Sequence, residues 1–278
     1  LNMEFFTAEK VSPSTTGITD ITGVHSFLVE GEKEAILIDT GAGAGDLKAF
    51  VSSLTKLPVS VILTHGHCDH AGGDAGFDKV YLSKKDWELA KNHATMEQKK
   101  DYVTFCLGGL PEEMTQADFS PVRMKEYLPL GDGQEFDLGG VILKAVAVPG
   151  HTKGMTCVLN VTERTILFGD GCNPSVFLWA DEASSVEEYK EVLLELKKRE
   201  GEYDKVYLSH GPKLIGKEIL DGVIGVCEDI LNGKSDEIPF RFMDFEGLLM
   251  AKKTAGTGER ADGGLGNIIY NSQRIYKG

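Results

Sequence analysis

The chain has 278 residues, of which 41% are hydrophobic, and it carries a formal net charge of −14 at pH 7. This length and apolar content suffice for a sizeable core, so we predict a single domain over residues 1–278. The acidic surface would repel a phosphate backbone, and the short basic runs are interleaved with acids, which argues against nucleic acid as a partner.

The cysteines and the apolar runs indicate the cellular compartment of the protein. Five cysteines, an odd number without disulfide-like spacing, are typical of a reducing compartment, and we predict a cytoplasmic protein. No apolar run approaches the ~20 residues of a membrane span, and the N-terminus does not resemble an export signal, so no membrane partner is expected. A small-molecule substrate is the expected partner. The sequence leaves the oligomeric state open, with a homodimer among the alternatives.

The first part of the chain predicts strands and helices in alternation. Strands are expected at 3–9, 25–30, 34–39 and 59–63, and a helix at 46–54 connects the last two of them. A short strand at 78–83 and a helix at 84–92 follow. The near-continuous apolar run within 34–39 is typical of a strand that is buried on both faces.

Residues 93–128 have no counterpart in the second half of the chain, and we predict a mostly helical insertion. It is either a surface segment packed on the body or a lid that shapes a substrate pocket, and both interpretations stay open. Helices are expected at 185–198 and 213–232. The C-terminal extension 213–278 contains an apolar segment near 265–270, which predicts a returning strand or a pocket wall.

The segment from Thr64 to His70 holds three of the seven histidines and one aspartate, directly after a predicted buried strand. Imidazole nitrogen and carboxylate oxygen are ligands that suit zinc and similar divalent metals. His65 and His67 are two residues apart, so they point the same way in an extended loop. Asp69 and His70 follow where the chain turns, and can face a second point. Four ligands this close would crowd one ion, which suggests two metals side by side.

Three later strand ends supply further candidate ligands, namely His151, Asp170 and His210. Two strand–helix–strand units also echo each other. In the first unit Asp39 follows one strand and Thr64-His65-Gly66 follows the next, and in the second unit Asp170 and Ser209-His210-Gly211 hold the same places. Two such halves would face each other and bring these loops to one shared edge.

Together these motifs resemble the metallo-β-lactamase superfamily over roughly residues 23–212: His-x-His-x-Asp-His at 65–70, Pro-Gly-His-Thr at 149–152, Gly-Asp at 169–170 and Ser-His-Gly at 209–211. The resemblance implies an α/β fold, a four-layer αβ/βα sandwich of two mixed β-sheets flanked by helices, with the metal site at one edge. It also implies a ligand assignment. The first metal would bind His65, His67 and His151, the second would bind Asp69, His70 and His210, and Asp170 would bridge them.

This ligand set predicts a metal-dependent hydrolase with two divalent ions, most readily zinc, with iron or manganese as alternatives. Such ions lower the pKa of a bound water to roughly 7, and a hydroxide held between them would attack a small ester, thioester or lactone. Asp69 is also the candidate catalytic residue, through a proton transfer. One alternative is an oxidoreductase with a single iron, resembling persulfide dioxygenases. Another is a non-enzymatic, metal-dependent binding module.

Several residues near the motifs have a structural and a functional interpretation. Asp39 is expected to accept hydrogen bonds from the metal loop and not to bind metal. Cys68 is expected not to be a ligand, and His93 is expected to lie in solvent on a polar helix. The candidate pocket residues, each of which could also be explained by packing, are His25, Cys172, Asn173, Phe177 and Trp179.

Overall fold

The computed structural model describes residues 3–256 and 258–278. Its helices are α1 (Leu47–Leu54), α2 (Cys68–Ala71), α3 (Trp87–His93), α4 (Met96–Leu107), α5 (Val186–Lys197) and α6 (Ile219–Leu231). Its strands are β1 (Phe6–Lys10), β2 (Thr15–Asp20), β3 (His25–Glu30), β4 (Ala35–Ile38), β5 (Val59–Ile62), β6 (Val80–Leu82), β7 (Leu128–Pro129), β8 (Glu135–Asp137), β9 (Ile142–Ala147), β10 (Thr156–Asn160), β11 (Thr165–Leu167), β12 (Val176–Leu178), β13 (Lys205–Tyr207), β14 (Leu214–Ile215), β15 (Ile238–Phe242), β16 (Phe245–Met250), β17 (Thr254–Ala255), β18 (Glu259–Arg260) and β19 (Ile268–Tyr270). Among these helices, none is long and apolar enough to cross a lipid bilayer.

Two mixed sheets form the centre of the fold. The first has seven strands in chain order from β1 to β7, antiparallel as far as β4 and parallel from β4 onward. The second has six strands in the order β14-β13-β11-β10-β9-β8, and β11 pairs with β13 in parallel. The parallel pairs β4–β5 and β11–β13 are the two predicted echo units, each with a helix between its strands.

Apolar side chains hold the layers together. Phe27 and Ile38 of the first sheet share one core cluster with Leu143 and Val158 of the second, so the two sheets pack face to face. On the outer face of the first sheet lie Leu47 and Val51 of α1. The outer face of the second sheet is covered by α5 and α6, through side chains such as Tyr189, Leu193, Val223 and Val226. This order of layers confirms the predicted four-layer αβ/βα sandwich.

The C-terminal extension adds a third sheet, which the prediction of two sheets omits. Its strand order is β12-β19-β16-β15, and β19 pairs in parallel with β12 and antiparallel with β16. The apolar segment near 265–270 is therefore a returning strand. The helix predicted at 213–232 begins only at Ile219, because Leu214 and Ile215 pair with β13 as an edge strand. A short apolar run does not by itself distinguish a strand from a helix turn.

The prediction that the segment 93–128 is mostly helical is wrong: it contains helix α4 and a 3-10 turn at Gln116–Asp118, and the chain after α4 is otherwise largely irregular. Two cations hold the segment in place. Lys99 is completely buried, and its Nζ donates to the carbonyls of Ser120 and Pro121, each at 3.0 Å, so it ties α4 to a later part of the same segment. The guanidinium of Arg123 donates to the carbonyls of Asp74 and Phe77, and it thereby fastens the segment to the body.

We predict that Lys99→Met lowers the stability of the protein, because it removes the buried ammonium group that donates to the carbonyls of Ser120 and Pro121. The expected cost is about 2 kcal/mol, or roughly 5 °C in the melting temperature. Thermal unfolding followed by circular dichroism measures it. The neighbouring Lys100→Met is the control, since Lys100 donates only to exposed Gln116. Equal melting temperatures for the two variants would contradict the assignment.

Candidate metal centre

The seven predicted ligands come together at one edge of the two central sheets. His65 and His67 follow β5, whereas Asp69 and His70 lie in the single turn of α2. The other three follow strands of the second sheet: His151 after β9, Asp170 after β11 and His210 after β13. Their ligating atoms fall into two groups, and within each group all atoms lie within 4.8 Å of one another.

The first group consists of His65, His67 and His151. Hydrogen bonds on the outer edge of each ring decide where its lone pair points. His151 donates from Nδ1 to the carbonyl of Phe177 (2.7 Å), and Nε2 of His67 lies 2.7 Å from the carboxylate of Glu182. Nε2 of His151 and Nδ1 of His67 then face each other at 2.9 Å, both as lone pairs.

His65 also has a hydrogen bond on its outer nitrogen that leaves the inner nitrogen as a lone pair. The hydroxyl of Thr64 donates to Asp39 (2.8 Å) and receives Nδ1–H of His65 (3.0 Å). Its Nε2 is buried and finds no hydrogen-bond partner in the part of the chain that the structure describes. Three inward lone pairs without a donor between them are unfavourable unless a cation lies among them. The first group therefore fits a divalent metal.

The second group consists of Asp69, His70, Asp170 and His210. Nε2 of His70 lies 3.3 Å from Asp69 and 3.4 Å from Asp170, and Nε2 of His210 lies 3.2 Å and 3.4 Å from the same two carboxylates. A tetrahedral ion with bonds of about 2.0–2.1 Å places its ligand atoms roughly 3.3–3.4 Å apart. The spacing in this group matches that value.

Asp170 faces both groups. Its Oδ2 lies 3.9 Å from Nε2 of His65 and 3.5 Å from Nε2 of His151, as well as 3.4 Å from Nε2 of both His70 and His210. Its other oxygen, Oδ1, is buried, and the described residues offer it no hydrogen bond. One carboxylate thus touches four imidazoles, which is the position that a ligand shared by two ions requires.

The two groups differ in their electrostatics. Burial lowers the pKa of His67 to about 4 and holds the pKa of His65 well below its usual range, so both are neutral and able to bind metal. Burial would also lower the pKa of His210, but Asp170 and Asp69 outweigh it and raise that pKa to about 10. The second group therefore attracts positive charge, which a divalent cation supplies.

Two buried aspartates hold the metal loops in place. Asp39 adopts a positive φ of 63°, accepts from the backbone N–H of Thr64 (2.7 Å) and lies 2.9 Å from Nδ1 of His70. It supports the loop, as predicted. Asp86 accepts from the N–H of Gly66, the hydroxyl of Thr152 and the N–H of Gly154, so it ties the loop before His67 to the loop after His151. Sequence reasoning missed Asp86, which stands at a helix start and is not distinguishable there from an ordinary helix cap.

Glu182 and His93 are further neighbours of the centre that the sequence did not identify. The prediction that His93 lies in solvent is wrong. Its Nδ1 accepts from the N–H of Cys68 (3.0 Å), and its ring centroid lies 4.8 Å from that of His67. Glu182 stands on a loop whose carbonyls at Ala180 and Ala183 accept from Arg274. The C-terminal part of the chain thus packs against the loop that carries Glu182.

The predicted pocket residues occupy different environments. His25 is buried beside the loop of His210, and its Nε2 donates to the carbonyl of Gly211 (2.8 Å). Cys172 is completely buried in the core under α5, so it lines no pocket, and buried Asn173 accepts from the N–H of Ser175. Phe177 and Trp179 are half-buried on the outer side of β12. Cys68 stays outside both ligand groups, as expected.

Comparison with known proteins agrees with this geometry. The family model described as "Metallo-beta-lactamase superfamily" matches residues 19–210. Among solved structures, a metallo-beta-lactamase from Pontibacter korlensis aligns with a TM-score of 0.59 at 19% identity, over 79% of this chain and 97% of that chain. At this identity the likeness concerns the fold alone.

Curated relatives indicate the chemistry of similar proteins. The acyl-coenzyme A thioesterase MBLAC2 of Bos taurus is 30% identical over 162 residues, which cover 51% of this chain and 55% of the relative. BaeB of Bacillus velezensis, described as a probable polyketide biosynthesis zinc-dependent hydrolase, is 24% identical over 64% of this chain and 68% of its own length. The chain spans about half the length of the first of these relatives.

We predict that Glu182→Gln weakens metal binding in the first group, because a neutral amide holds the His67 ring less firmly than a carboxylate. Loss of such a supporting contact typically lowers metal affinity about 10–100-fold. Zinc titration in competition with a coloured chelator measures this. Asp181→Asn is the matched control, since Asp181 is fully exposed and contacts only Arg274. Zinc affinities that are equal for the two variants would refute the role of Glu182.

Proposed function

Because this chain belongs to the metallo-β-lactamase superfamily, we propose that it is a hydrolase with two zinc ions that cleaves a small thioester. The observation that carries the proposal is Asp170, whose single carboxylate lies against histidines of both ligand groups. A carboxylate shared between two groups of imidazoles suits a pair of ions better than one. The family membership and the relatives support hydrolase chemistry.

The choice of zinc follows from the donor set. Five imidazoles and two carboxylates are borderline ligands that zinc accepts readily, although iron and manganese accept them too. The relative BaeB is described as zinc-dependent, which favours zinc. Softer metals would require thiolate, and Cys68, the thiol nearest in sequence, has its pKa raised to well above its usual range by burial and lies outside both groups.

Different residues of the chain would serve metal binding and proton transfer. A bound pair of divalent ions would activate water near neutral pH and polarise the substrate carbonyl. His65, His67 and His151 would hold the first ion, and their outer hydrogen bonds keep the rings from turning. Asp69 touches His70 and His210 and is 13% exposed at its side chain, so it is placed to take a proton and pass it to solvent.

A thioester is the substrate class with the most support. The relative MBLAC2 is named an acyl-coenzyme A thioesterase, and thioesters have a good leaving group that needs little protonation. A dioxygenase with a single iron would use the first group alone. The spacing of the second group, which matches a tetrahedral ion, supports the hydrolase over that alternative.

The direct test is thiol release from acyl-coenzyme A thioesters by zinc-loaded protein, with an oxygen ester and a lactone alongside. We expect turnover that stops on chelation and returns with zinc. Asp170→Asn should lower kcat/KM at least about a hundredfold, since the shared ligand is weakened. The control Asp221→Asn changes an exposed carboxylate that pairs with Lys197. No thioester cleavage by fully metal-loaded protein would overturn the proposal.

We also predict that Asp69→Asn lowers kcat about a hundredfold while much of the metal stays bound, because an amide cannot accept the proton. Metal content by elemental analysis and kcat under saturating substrate must be measured on the same preparation. A variant with full metal and full rate would remove Asp69 from the proton transfer. Loss of both metal and rate together would reduce its role to that of a ligand.

A further inference from the structure

Six aromatic side chains form a continuous surface beside the metal centre, which we call the aromatic wall. They come from helix α4, from the end of strand β12 and from the hairpin β15–β16: Phe105, Phe177, Trp179, Phe240, Phe242 and Phe245. The ring of Phe242 lies 5.0 Å from that of Phe177 and 5.2 Å from that of Phe105, measured between centroids. Trp179 lies 4.5 Å from Phe245. Contacts of this length join the six rings into one surface.

The aromatic wall is not part of the hydrophobic core. Val176 and Leu178 of β12 are completely buried under α5, and because side chains alternate along a strand, Phe177 and Trp179 project from the opposite face. Phe105 is 49% exposed and Phe245 is 52% exposed. A contiguous group of rings that remains in contact with water is costly, and such surfaces commonly mark a binding site.

The aromatic wall is continuous with the metal centre through two backbone segments. The carbonyl of Phe177 accepts the Nδ1–H of His151, a ligand of the first group. The loop that begins directly after Trp179 carries Glu182, which contacts His67. If the reacting carbonyl of a substrate lies at the metals, the acyl chain attached to that carbonyl would therefore lie near the aromatic wall.

The chemistry of the wall selects an uncharged, apolar ligand. Within the hairpin, the one cation, Arg241, pairs with Asp244 and Glu246, so its charge is balanced by two carboxylates of the same hairpin.

We propose that the aromatic wall binds the apolar acyl group of the thioester and gives the enzyme a preference for medium-length acyl chains over acetyl. The inference rests on the proposed function for the thioester, but binding of the acyl group to the wall can be tested separately from thioester cleavage. Three of its rings, Phe240, Phe242 and Phe245, lie beyond the residues 19–210 that match the family. The preference is thus a property of this chain's own C-terminal hairpin.

The first test measures binding without turnover. Octanoate, the acid product of an eight-carbon thioester, should change the tryptophan fluorescence saturably, whereas acetate at the same concentration should not. The change should vanish in Trp179→Phe, which leaves Trp87 as the remaining tryptophan. Phe242→Ala should weaken octanoate binding about fivefold or more, because it removes the ring that joins Phe105 to Phe177 in the wall.

Controls separate a binding role from a folding role. Phe245→Ala changes a ring that is half exposed, so it leaves the core intact and should still weaken octanoate binding. Met124→Ala removes an apolar side chain that is 90% exposed and belongs to no part of the wall, and it should bind octanoate like the wild type. If octanoate does not bind, or binds equally to all these variants, the inference is wrong.

The second test uses turnover. In the wild type, kcat/KM should rise by up to about fourfold for each added methylene between two-carbon and eight-carbon acyl-coenzyme A thioesters. The rise should flatten in Phe242→Ala. Octanoate binding without any thioester cleavage would support the acyl-binding role of the wall and overturn the proposed reaction. Thioester cleavage with no dependence on chain length would overturn the acyl-binding role and support the proposed reaction.

Discussion

The carboxylate of Asp170 is the interaction on which the rest of the site depends. It is nearly buried, and its Oδ2 stands within 3.9 Å of a nitrogen of four different histidines. A buried carboxylate is costly unless positive charge or donors surround it. The first group provides three imidazoles whose lone pairs point inward, which is unfavourable unless a cation lies among them. The sheets and loops around Asp170 position the histidines and this carboxylate close together.

The loops are held by hydrogen bonds on the side away from the metals. Asp39 and Asp86 each accept from several groups on neighbouring loops, and Glu182 and the carbonyl of Phe177 engage the outer edges of two rings. These contacts fix which nitrogen of each ring carries the proton. The same contacts link the centre to the C-terminal part of the chain, because Arg274 fastens the loop of Glu182. This loop begins directly after Trp179 of the aromatic wall, so the proposed acyl site and the proposed metal site would share one support.

Much of this arrangement could be predicted from the sequence, because its signals are local. The run from His65 to His70 follows a buried strand, and parallel strands end at a common edge, so the seven ligands could be placed together. The parts that could not be predicted depend on distant contacts. Asp86 resembled a helix cap, and His93 resembled an exposed helix residue until α3 was seen against α2. Leu214 and Ile215 fitted a helical stripe, and pairing with β13 decided otherwise.

The proposed function depends on two zinc ions that Asp170 and the six other candidate ligands would hold. The most direct measurement is the zinc content per chain, by elemental analysis, after the protein is loaded with zinc and the excess is removed by gel filtration. The geometry predicts two zinc ions per chain. One zinc ion per chain would mean that Asp170 does not act as a shared ligand, and no retained zinc would contradict the metal centre itself.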